Sequence, residues 1–79
     1  MTEEEAIKMI WDQLKEDLDH IDDVTPVDPS LTFKALRLDD LYTEELAYRI
    51  EEKHSLPVPV FTPEMSIRDA ARALVENLG

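Results

Sequence analysis

The placement of five prolines most limits what this chain of 79 residues can fold into. Pro26 and Pro29 occupy one short stretch; Pro57, Pro59 and Pro63 occupy another. Proline lacks a backbone N–H and pushes the residue before it out of the helical region. Helix is therefore confined to the stretches before, between and after them, and each carries apolar residues at helical spacing. In the first, Ile7, Ile10, Trp11, Leu14 and Leu18 recur every three or four residues and form one stripe. Thr2 and Glu5 have the spacing of a capping box, which predicts a helix from Thr2 to about Leu18. Lys8 with Asp12, and Lys15 with Asp19, are opposite charges one turn apart on its wet side.

The second helix is predicted from Asp39 or Asp40, either suited as its cap, to Lys53. Leu41, Leu46, Ala47 and Ile50 are its expected apolar side; Glu44, Glu45, Arg49, Glu51 and Glu52 are its solvent side. Tyr42 and Tyr48 are expected to cover the core edge with their hydroxyls in water. The third helix is predicted to start at a Ser66 cap and to bury Ile67, Ala70, Ala71, Leu74 and Leu78, with Gly79 ending it. Its three alanines imply close approach to another helix.

Between helices, Asp19 to Thr32 reads as a long loop that Ile21, Val24 and Leu31 pin to the core. Ser55 to Phe61 reads as extended, since prolines alternate with Leu56, Val58 and Val60 and no second strand is available. Thr62 to Met65 reads as one short helical turn. The expected fold is all-α: a single domain over residues 1–79, a small four-helix bundle of three longer helices and one short one, with a long loop after the first.

Composition then narrows function. Nineteen acidic against eight basic residues give a formal charge of −11, which repels nucleic acid and anionic lipid and favours basic protein partners. No apolar run approaches a membrane span, and Met1-Thr2-Glu3-Glu4-Glu5 is unlike the basic start of a signal peptide. A cytoplasmic, monomeric protein is the expectation. Cysteine is absent, histidine is limited to His20 and His54, and the one glycine is terminal, so no thiolate site or glycine-rich phosphate loop is available. Asp17, Asp19, Asp22, Asp23 and Asp28 lack the alternation and central glycine of a calcium loop, and no metal site is assigned. No nucleophile–base pair is evident; Asp39 and Asp40 are adjacent carboxylates but project about 100° apart on a helix. An enzyme is not expected.

The stretch Phe33-x-x-Leu36-x-Leu38-Asp39-Asp40-Leu41, followed by Glu45-Leu46, resembles the attachment motif of acyl carrier proteins, F-x-x-L-G-x-D-S-L with a later E-L. Ile10-Trp11-Asp12-Gln13-Leu14, Val24-Thr25, Ile50-Glu51-Glu52 and Val58-Pro59 match further parts of that family's pattern, so the resemblance covers nearly the whole chain. It implies a carrier-like fold, phosphopantetheine as the family's cofactor, a fatty acid or polyketide type of pathway, and docking to basic surfaces of synthases and transferases through Asp39, Glu45, Glu51 and Glu52. Three positions depart from the pattern. Asp40 replaces the modified serine, Arg37 replaces the turn glycine, and Tyr42 stands where many members carry an acid that meets the transferase. An ionised carboxylate is acceptor-only, and attack by it on the pyrophosphate of coenzyme A would leave a labile acyl phosphate. Covalent phosphopantetheine at Asp40 is therefore not expected.

Asp40 then has two readings: a retained helix-start residue, or a mimic of the single negative charge of the phosphodiester. Two further functions stay open. One is a carrier that uses another hydroxyl, Ser30 or Thr43, or that holds an acyl chain non-covalently among Leu46, Ile50, Val58, Val60 and Phe61. The other is a small acidic inhibitor that masks a basic partner.

Overall fold

In the computed structural model, which describes residues 1–19, 21 and 27–78, the chain forms three helices: α1 (Glu3–Asp17), α2 (Asp40–His54) and α3 (Ile67–Leu78). Val24, Asp22, Asp23, His20, the Val24-Thr25 match and the Gly79 stop lie outside the described residues. Among the described residues no helix is long and apolar enough to cross a membrane.

Both outer helices start on reciprocal caps. The Thr2 hydroxyl accepts from the Glu5 N–H at 3.1 Å, while the Thr2 N–H donates to Glu5 Oε1 at 2.9 Å. Ser66 and Asp69 repeat the arrangement at 3.0 and 3.1 Å. Two donors that would otherwise be orphaned are satisfied at each start. α2 is capped from one side only: Asp39 accepts from the Tyr42 N–H at 2.9 Å. It ends at Ser55, which takes the left-handed conformation (φ 54°, ψ 45°).

α3 packs against α1 more extensively than α2 does. Ala70 and Ala71 are fully buried, and with Ala6 they let α1 and α3 approach closely. Ile10, Trp11, Leu14, Leu46, Ile50, Ile67 and Leu74 complete the core between the helices. Glu3 lies 3.4 Å from both Arg68 and Arg72, which joins the starts of α1 and α3. Ile21 is buried and Leu31 half-buried, as loop anchors should be.

The fourth, short helix is not present. Thr62–Met65 is a single turn closed by the Met65 N–H on the Thr62 carbonyl at 3.1 Å. Its neighbours pair elsewhere: Phe33 and Lys34 donate to Met65 and Pro63, while Ile67 and Arg68 donate to Leu31 and Pro29. An isolated antiparallel bridge joins Thr32 and Ser66. A helix through these residues would forfeit that pairing, and Pro63 has no N–H to add to one. Phe33 and Phe61 stack beneath it, ring centroids 5.9 Å apart.

Leu41 is a second correction. It is 76% exposed, and the buried face of α2 is Thr43, Leu46, Ala47 and Ile50. Those four follow a three–four–seven spacing; Leu41 and Ile50 lie about 180° apart at the helix period. Leu78 also faces outward.

At Ser55 the β-carbon crowds a left-handed backbone that glycine adopts freely. Ser55→Gly should stabilise the fold by about 0.5–1 kcal/mol. The measurement is the urea midpoint followed by the fluorescence of the buried Trp11, and an unchanged or lowered midpoint would count against the cap assignment.

Candidate functional site

The residues that the sequence singles out gather at the start and on the outer side of α2. Asp39, not Asp40, is the cap. Asp40 is the first helical residue and exposed, and its backbone carbonyl accepts the Thr43 hydroxyl at 3.1 Å. Its carboxylate has no hydrogen-bond or ion-pair partner among the described residues. The cap is supplied without it, and the Asp40 charge is left directed to solvent at the positive end of the helix.

Of the other docking candidates, two are engaged within the chain. Glu45 is held by Arg49, with Nη2 at 2.6 Å and Nε at 3.2 Å. Glu51 accepts the Val58 N–H at 3.2 Å and ties the extended segment to α2. Glu52 is exposed, and so is Glu44, which the sequence places on the same side. The outer face also carries two large apolar side chains, Leu41 at 76% and Tyr48 at 61% exposure. Seven residues apart, they lie on one line along the helix, opposite the core, with Glu44, Glu45 and Glu52 around them.

Tyr42 turns the other way. Its hydroxyl donates to Asp17 Oδ2 at 2.8 Å, so it does not end in water. The Asp17 carboxylate, whose side chain is only 7% exposed, also accepts Arg49 Nη1 at 3.0 Å and Gln13 Nε2 at 3.1 Å. Three donors offset the cost of burying this charge at the unfavourable end of α1. Lys53 adds an exposed pair to Glu16 at 2.7 Å. These contacts lock α2 to the last turns of α1 and hold its outer face at a fixed angle. Sequence reading missed this hub, because Asp17 and Arg49 are 32 residues apart and no local pattern signals the pair.

The proposed acyl-lining residues separate. Leu46, Ile50 and Phe61 are fully buried core, Val58 is half-buried, and Val60 is 67% exposed. One groove, open and of about 300 Å³, is lined by Gln13, Glu16, Arg49, Glu52 and Lys53. Its charged walls do not suit an alkyl chain. Thr43 is fully buried and its hydroxyl is bonded, so modification there would need the helix to open. Ser30 is exposed and donates to Asp28 at 2.6 Å, in a turn remote in sequence from α2. Among the described residues no group of three metal-ligating side chains is placed to hold an ion.

Arg37, at the turn position where carrier proteins have glycine, takes φ 66°. The turn is fixed by the Arg37 N–H on the Lys34 carbonyl and the Leu38 N–H on the Phe33 carbonyl, at 2.9 and 3.0 Å. A side chain there costs on the order of 1 kcal/mol relative to glycine. No family model, no curated protein and no solved structure matches the chain.

Partial burial and then the bond to Asp17 hold the Tyr42 phenol well above its ordinary pKa. In the unfolded chain it ionises near pH 10. Its folded pKa is raised, so its contribution is complete below pH ~10 and is lost as pH climbs toward the folded value. Urea midpoints between pH 9 and 11.5 should therefore fall more steeply for the wild type than for Tyr42→Phe. At pH 7 the same variant should cost about 0.5–1.5 kcal/mol. Parallel slopes for the two proteins would show that Tyr42 is not linked to folding.

Proposed function

We propose that this chain is an acyl-carrier-protein-like, non-enzymatic docking domain. It carries no phosphopantetheine at Asp40 and acts in the cytoplasm, as a monomer, in a fatty acid, polyketide or specialised acyl-transfer setting. Its partner presents basic side chains around an apolar socket, and α2 docks there through Leu41 and Tyr48. Asp40, Glu44 and Glu52 supply the exposed charge, while Glu45 and Asp39 keep their intramolecular bonds and shape the surface.

The observation that carries this reading is the outer face of α2: two exposed large apolar residues on one line, ringed by carboxylates, on a helix locked to α1. A net charge of −11 steers basic partners toward it and makes association salt-dependent. The motif resemblance supports the carrier setting. Asp40, exposed and not needed as the cap, supports the reading in which a fixed negative charge stands where the family carries a phosphodiester.

The test is intact-mass spectrometry after incubation with coenzyme A and a broad-specificity phosphopantetheinyl transferase, on wild type and on Asp40→Ser. The wild type is expected to keep its mass and Asp40→Ser to gain the arm. Modification of the wild type would overturn the assignment of an unmodified domain. Failure of both would leave no support for recognition by carrier enzymes.

A further inference from the structure

The chain has eight lysines and arginines, and six of them are ion-paired: Lys8, Lys15, Arg49, Lys53, Arg68 and Arg72. The remaining two, Lys34 and Arg37, are exposed, and their side chains make no ion pair or hydrogen bond among the described residues. Both belong to the turn that leads into α2. In a chain with nineteen acidic residues, cations left unpaired at one place are conspicuous. One of them, Arg37, also sits on a left-handed backbone that disfavours any β-carbon, and among the described residues its side chain gains no hydrogen bond or ion pair in return.

We infer that the Lys34–Arg37 turn is a specificity determinant at the rim of the α2 surface, one that selects a partner carrying a carboxylate beside its basic patch. This rests on the docking reading above. Arg37 lies two residues before the cap Asp39 and four before the exposed Leu41, which puts its turn at the end of α2 where that face begins. A partner that is basic throughout meets like charge at this end and is disfavoured. A partner with an aspartate or glutamate there gains an ion pair that the carboxylate face of α2 cannot offer. Attraction along the helix and repulsion at its rim together separate partners that overall charge alone would not.

The test uses two synthetic amphipathic helical peptides, each with a leucine centre and a lysine–arginine ring. They share one composition and net charge and differ only at one end, which is Glu-Glu in one and Lys-Lys in the other, the displaced pair being placed at the opposite end on the side away from the leucines. Affinities for the full chain are measured by calorimetry at low ionic strength. The wild type should bind the Glu-ended peptide about fivefold more tightly, as expected for one exposed ion pair. Arg37→Lys should keep most of the preference. Arg37→Gly should bring it within twofold while its thermal midpoint rises by about 4 °C or more, since glycine relieves the turn. A purely structural role for Arg37 would not link a more stable fold to lost discrimination. Equal affinity of the wild type for both peptides would overturn this inference and leave the docking face intact. Binding of neither would overturn the docking reading, and this inference with it.

Discussion

The pairing of residues 29–34 with residues 63–68 is the constraint on which the rest of this small fold depends. Its four long-range backbone hydrogen bonds bring the start of α3 beside the turn that precedes α2. α2 touches α1 less extensively than α3 does, so its position is set largely by what its two flanking segments do. The Phe33–Phe61 stack gives that seam an apolar underside and connects it to the core. Without the seam, α2 would be tied to α1 by the burial of its inner face, one buried carboxylate and a few exposed pairs, the last each worth little in water.

Polar and apolar groups divide the work on α2 by face. Inside, Thr43, Leu46, Ala47 and Ile50 contribute burial. On the flank, Tyr42 and Arg49 converge on Asp17, a charge that would be costly to bury alone and is satisfied by three donors. Outside, Leu41 and Tyr48 remain largely in water and contribute little burial to the isolated chain. The buried and the bonded sides of α2 leave its third side turned to solvent.

The helices were legible because their signals are local. The Thr2–Glu5 box, the stripe of α1, the Ser66 cap and the alanines of α3 place themselves within a residue or two of where they are found. Leu41 misled because it is apolar and near Leu46; counting the angle, rather than noting the residue type, puts it opposite the core. The short helix at Thr62–Met65 misled because its competitor, the pairing with residues 31–34, comes from about thirty residues away. Asp17 escaped for the same reason. Of the site, the position of Asp40 and the acidic outer side were readable. The engagement of Glu45 with Arg49 and the lack, among the described residues, of an ion-pair partner for Lys34 and Arg37 were not, since a charge's partner is a tertiary property.

The unequal caps have a consequence for how the molecule opens. α1 and α3 each close their first turn with two reciprocal bonds made within four residues, which lowers the cost of nucleating those helices from the unfolded chain. α2 has a single-sided cap, and its tertiary support is gathered along one flank. Amide protons of α2 should then exchange with solvent through openings that leave the α1–α3 pair intact, making α2 the cooperative unit of lowest protection. The helix that bears the candidate surface is thus also the one whose order a bound partner would raise the most.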